Sequence, residues 1–152
     1  MRNSLLHLVF DVLLLVLGAA AEDLLPRVCG VGFPILLAAA LVVALRGRLA
    51  EMLIFAFAAG ATEDALAALP PVASASFFLV AAWIVRLVGF PRTVAALVYP
   101  AYLVWLVIWT GGVDGGIYMR LLASVPIGFL TTCAVAVVYA AAERRTAINE
   151  IG

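Results

Sequence analysis

The chain has 152 residues, 67% of them hydrophobic and only 12% charged, and its formal net charge is zero. Soluble domains carry about twice that charged share, so the composition excludes a water-covered surface and points to an integral membrane protein forming a single domain over residues 1–152. Balanced charge gives no electrostatic basis for a nucleic-acid partner.

Six apolar segments follow one another. The first, about 5–25, reads LLHLVFDVLLLVLGAAAEDLL. Its basic start and small-residue end suggest a secretory signal. No clean A-x-A site appears before a soluble domain, however, and the rest is equally apolar, so a retained span is expected. Asp11 lies deep in it, four residues beyond His7, which puts both on one helical face. Together with Glu22 and Asp23, Asp11 makes a candidate polar cavity. The plainer reading leaves His7 solvated at the inner interface.

The second segment, about 29–45, is barely long enough to cross hydrocarbon, which takes roughly 17–25 residues. The remaining segments cover about 49–69, 73–90, 93–110 and 117–142. Backbone groups in lipid must be satisfied within a segment, and strand-like alternation is absent, so helices are expected. The expected fold is a compact all-α bundle of six transmembrane helices. Pro34, Pro100 and Pro126 fall within or near spans two, five and six, where each is a potential kink. Tyr102, Trp105 and Trp109 recur at helical spacing on the fifth span and read first as lipid-facing anchors, second as a seam for another helix. Arg86 is ambiguous: it can snorkel toward the inner surface, and Arg120 can do so on the outer side.

Every basic residue is arginine. In the six-span scheme Arg2, Arg46, Arg48, Arg86, Arg92, Arg144 and Arg145 fall on one side, and Arg27 and Arg120 on the other. That bias places both termini in the cytoplasm. The outer loops, 26–28, 70–72 and 111–116, are then too short for an extracellular domain.

Two acidic pairs interrupt this pattern, in GAAAEDLLP (18–26) and GATEDALAALPP (60–71). Glu63 follows Glu22, and Asp64 follows Asp23, by 41 residues. The match suggests a duplicated helix pair; alternatively, acids simply mark where spans meet water. Both pairs sit at helix C-terminal ends, where the dipole disfavours them unless they are solvated or paired. Ala56, Gly60 and Asp64 are spaced four apart and share a face. Gly60 admits a close neighbour, so Asp64 is expected to point into the bundle or toward a partner. Glu63, one position round, is expected to turn toward water.

Catalytic signatures are missing. His7 is the single histidine. No H-E-x-x-H, glycine-rich phosphate loop or Cys-x-x-Cys occurs, and no serine lies in a nucleophile–base arrangement. Cys29 and Cys133 have no metal-ligand spacing, and their pairing stays open. No catalytic residue, cofactor or metal is expected.

The segment FAAGATED (57–64), with Ala56, Gly60 and Asp64 at every fourth position, resembles the rod shape-determining protein MreD family of small multi-span inner-membrane proteins. AEDLLP resembles the end of that family's first span. Span number and the arginine-rich C-terminus are also similar. The chain departs from the pattern at Ala56, where glycine is usual, at Pro70–Pro71, which replace a glycine-containing turn, and after Pro34, where an asparagine is missing. The resemblance implies a non-catalytic scaffold of the bacterial cell-elongation machinery. Its implied partners are a single-span MreC-like periplasmic scaffold protein, the peptidoglycan glycosyltransferase/transpeptidase complex and cytoplasmic actin-like filaments, all assembled in the lipid bilayer. That family is similar in fold to the substrate-binding subunits of vitamin-uptake transporters, so a small-solute-binding subunit is the alternative. In that case Glu22, Asp23 and Asp64 would surround the solute.

Overall fold

The computed structural model describes residues 2–27, 31–89, 92–111 and 116–149, with side chains described over 9–27, 31–89, 94, 96–111 and 116–141. The His7 side chain, Cys29 and the centre of the GGVDGG loop lie outside these residues, and with them the His7–Asp11 and Cys29–Cys133 pairings. The described residues form six helices: α1 (Arg2–Leu24), α2 (Ile35–Arg46), α3 (Leu49–Leu66), α4 (Ala73–Val88), α5 (Arg92–Thr110) and α6 (Ile117–Asn149).

The second helix departs most from expectation. It starts at Ile35 rather than near residue 29 because Pro34 disfavours helical geometry at the residue before it. Pro34 is therefore the N-cap of α2, not a kink within it; Pro100 and Pro126 do lie inside α5 and α6. The 12 residues of α2 rise only about 18 Å. Nine consecutive residues, Leu36 to Ala44, are each at most 2% exposed. A helix apolar and buried all round belongs at the centre of a bundle, and α2 packs against α1, α3, α4 and α6.

The peripheral helices are apolar on their outer faces. Val16 and Leu17 on α1, Leu87 and Val88 on α4, Ile108 on α5 and Leu122 and Leu130 on α6 are all exposed. Within α6, Ile117–Ala141 (25 residues) is the one described helix long and apolar enough to cross a membrane. Helix α2, α4 and the Ala96–Thr110 part of α5 are apolar but shorter, and α3 carries Glu51, Glu63 and Asp64 in 18 residues. The all-helical architecture agrees with the composition, but by length and hydropathy only the Ile117–Ala141 part of α6, among the described residues, is long and apolar enough to cross a membrane.

The α3–α4 seam is the closest contact described. A Cβ on Gly60 would lie 2.4 Å from the Ala75 Cα, so the two backbones touch where no side chain intervenes. On α5, the Tyr99–Trp105 stripe faces inward, contrary to the lipid-anchor expectation. Tyr99 and Tyr102 are buried, and the Trp105 indole N–H donates to the Ala73 carbonyl at 2.9 Å. Phe77 and Phe78 of α4 pack on the Tyr102 ring. These amphipathic rings find both apolar and polar partners on α4. Trp109, a turn further on, is exposed.

Candidate functional site

Helices α2 and α4 begin on residues with no side-chain acceptor, Pro34 and Val72. Their first N–H groups still need partners, and each finds them on the helix before. The Glu22 carboxylate at the end of α1 accepts the Leu36 N–H at 2.8 Å. The Asp64 carboxylate at the end of α3 accepts the Ser74 N–H at 2.7 Å and the Ala75 N–H at 3.5 Å. An anion disfavoured by its own helix C-terminus is thus favoured by the neighbouring N-terminus. Asp64 is 6% exposed. Beside it the Ser74 hydroxyl, also buried, hydrogen-bonds the Tyr102 hydroxyl at 2.6 Å, tying α3, α4 and α5 into one network.

The other pole of α2 is treated in the opposite sense. Arg86 of α4 donates to the carbonyls of Ala44 and Gly47 at 3.2 and 2.9 Å. A cation at a helix C-terminus is the favourable sign. Arg86 is thereby held at the end of α2 where Arg46 and Arg48 lie. Nearby, the Arg46 guanidinium lies 5.6 Å from the Tyr139 ring centroid.

The late start of α2 leaves a recess between the ends of α1 and α3 and the flanks of α5 and α6. It forms a cavity of about 250 Å³ lined by Glu22, Asp23, Arg27, Glu63 and Arg120, with Phe33, Phe78, Tyr99 and Tyr102 among its other walls. Glu63, expected to face water, turns into this cavity and shares its wall with Glu22. One residue of helix is a rotation of about 100°. That rotation separates the adjacent acids, sending Asp64 to α4 and Glu63 to α1. The Tyr99 hydroxyl donates to the Gly32 carbonyl at 2.8 Å and braces the non-helical segment before α2.

The expected site residues are therefore divided. Glu22 and Asp23 line the cavity. Asp11, partly buried about three turns back along α1, is not among its lining residues. Ala56, Gly60 and Asp64 are buried and do not line it either. Gly60 and Asp64 meet α4 directly, because a small-residue face is filled by the nearest helix, which here is the chain's own. Arg120 is exposed and also lines the cavity.

The internal resemblance also changes register. Gly18 packs on Ile35 and Leu36 at the start of α2, and Gly60 on Ser74 and Ala75 at the start of α4. Each glycine is followed four residues later by the acid that caps the helix it touches, Glu22 or Asp64. The structural equivalents are thus 42 residues apart, not 41. The Glu-Asp identity drew attention to the wrong alignment; the Gly-x-x-x-acid spacing was the signal for the right one. Glu63, Arg27, Tyr99 and Tyr102 had no comparable signal, since they come from three separate elements.

No protein-family model, curated protein or solved structure matches this chain.

Proposed function

We propose that the chain is a multi-span protein of the bacterial inner membrane that serves as a non-catalytic scaffold of the cell-elongation machinery, as its resemblance to the MreD family implies. All six helices are embedded, with both termini cytoplasmic, and the short α2 is carried inside the bundle. The protein links a single-span MreC-like scaffold to the peptidoglycan glycosyltransferase/transpeptidase complex and, on the inner side, to actin-like filaments.

One observation carries the scaffold reading. The buried acid of the family-like segment is committed to holding α4, while the outer faces of α1, α4, α5 and α6 are apolar. Such a molecule has its polar chemistry turned to internal architecture and offers other membrane helices an apolar surface. Purification of the full chain in mild detergent tests the reading. Recovery of an MreC-like protein together with the peptidoglycan synthase pair is expected, and its absence under conditions that preserve other membrane complexes would remove the scaffold role.

The charged cavity supports a second reading, a solute-binding subunit of an uptake transporter. In that case the same purification yields an energising ATPase module instead of wall-synthesis proteins.

A further inference from the structure

We infer that the cavity between the ends of α1 and α3 is a binding site for a small zwitterion bearing an ammonium group and a carboxylate or phosphate. Its walls combine three features that such a ligand needs. Glu22 and Glu63 both line it, Arg27 supplies the opposite charge, and Phe78, Tyr99 and Tyr102 add aromatic surface. An ammonium is attracted both by carboxylates and by the faces of aromatic rings. A guanidinium pairs with carboxylate or phosphate through parallel N–H bonds.

Size narrows the class. At about 250 Å³ the cavity falls below the roughly 300–1,000 Å³ of pockets for drug-sized molecules. It suits one amino acid or one phosphoethanolamine group. The site is also preformed: Glu22 is held by the α2 N-terminus, and Tyr99 by the Gly32 carbonyl. Ligand binding therefore orders little that is not already ordered. The ligand source is either a free solute or the headgroup of an ethanolamine lipid, and both present the same charges. The inference shares its cavity with the uptake reading but does not require transport. A bound headgroup without an energising module would sustain the one and remove the other.

Thermal unfolding of the purified full chain in detergent, titrated with O-phosphoethanolamine or L-leucine, tests the site. Ethanolamine and inorganic phosphate serve as single-charge controls. A saturable rise in Tm is expected with a zwitterion, at least tenfold weaker in half-saturation for Glu63→Gln and for Arg27→Gln. Leu106→Trp, which fills the apolar wall and keeps every charge, should abolish the response and covers the case in which a charge variant does not fold. Native mass spectrometry separates the sources. Retained phosphatidylethanolamine that is lost in the variants identifies the headgroup; a response to a soluble zwitterion without retained lipid identifies a free solute. The site is overturned by equal responses to the single-charge controls, by variants that bind as the wild type does, or by neither Tm response nor retained lipid.

Discussion

Adjacent acids in one helix can have unrelated roles, and Glu63 and Asp64 are such a pair. Asp64 holds two N–H groups of α4 across the seam, next to a buried Ser74–Tyr102 hydrogen bond. Hydrogen bonds to a charged acceptor are worth about 1.5–3 kcal/mol, and loss of a helix cap costs about 0.5–2 kcal/mol. Asp64→Ala should therefore destabilise the protein by roughly 2 kcal/mol on this scale, with Asp64→Asn, which keeps one acceptor oxygen, recovering part of it. Glu63→Gln should leave stability unchanged or raised, since it removes a carboxylate facing Glu22. Denaturant unfolding of the three variants in micelles measures the difference. Equal losses at both positions would contradict the division of roles.

Among the elements, α2 and α4 depend on their neighbours. Neither N-cap residue offers an acceptor, and Val72 at the start of α4 even adopts a left-handed backbone, φ 73°, which a β-branched residue rarely tolerates. The order of the α3–α4 turn is imposed by the seam. The two glycines that admit these helices should respond differently to a methyl group. At Gly60 it meets the Ala75 backbone at 2.4 Å, whereas at Gly18 the nearest atom is the end of the Leu36 side chain at 3.2 Å. Backbone cannot step aside without parting the helices, but a leucine terminus can shift. Gly18→Ala should thus be near neutral or gain up to about 1 kcal/mol from helix propensity. Gly60→Ala should lose more than that propensity gain, and Gly60→Leu should prevent folding rather than only block assembly. Melting temperatures and the monodisperse yield in detergent report both.

For the whole molecule, the polar caps and cavity cluster at one end and Arg46, Arg48 and Arg86 at the other. If the cap end is outermost, a fluorescent protein fused after Gly152 should fluoresce, as it folds in the cytoplasm. Alkaline phosphatase inserted between residues 111 and 116 should be active, as it requires the periplasm. The reverse pattern would invert the orientation, and activity at neither site would argue against a six-span insertion. Helix α6, with 33 residues, rises about 50 Å against a hydrocarbon core of about 30 Å. Its last turns should then stand in the cytoplasm, within reach of an inner-side partner.

By itself the sequence determined the all-helical architecture and the small-residue face on α3. Those properties follow from local composition and a 3.6-residue period, which need no knowledge of neighbours. The face at Ala56, Gly60 and Asp64 was legible as a face, but its occupant was not: helical spacing says which residues align, not which helix fills the groove. Likewise the aromatic stripe of α5 could be recognised, while its inward orientation depended on the polar partners that α4 supplies. Only the tertiary structure decided that α2 is the central helix, that the equivalence of the two acidic runs lies at 42 residues, and that Glu63 joins Glu22, Arg27, Tyr99 and Tyr102 around one cavity. A late helix start creates that space, and Glu22 is held at its wall because the first N–H groups of α2 need an acceptor from another helix.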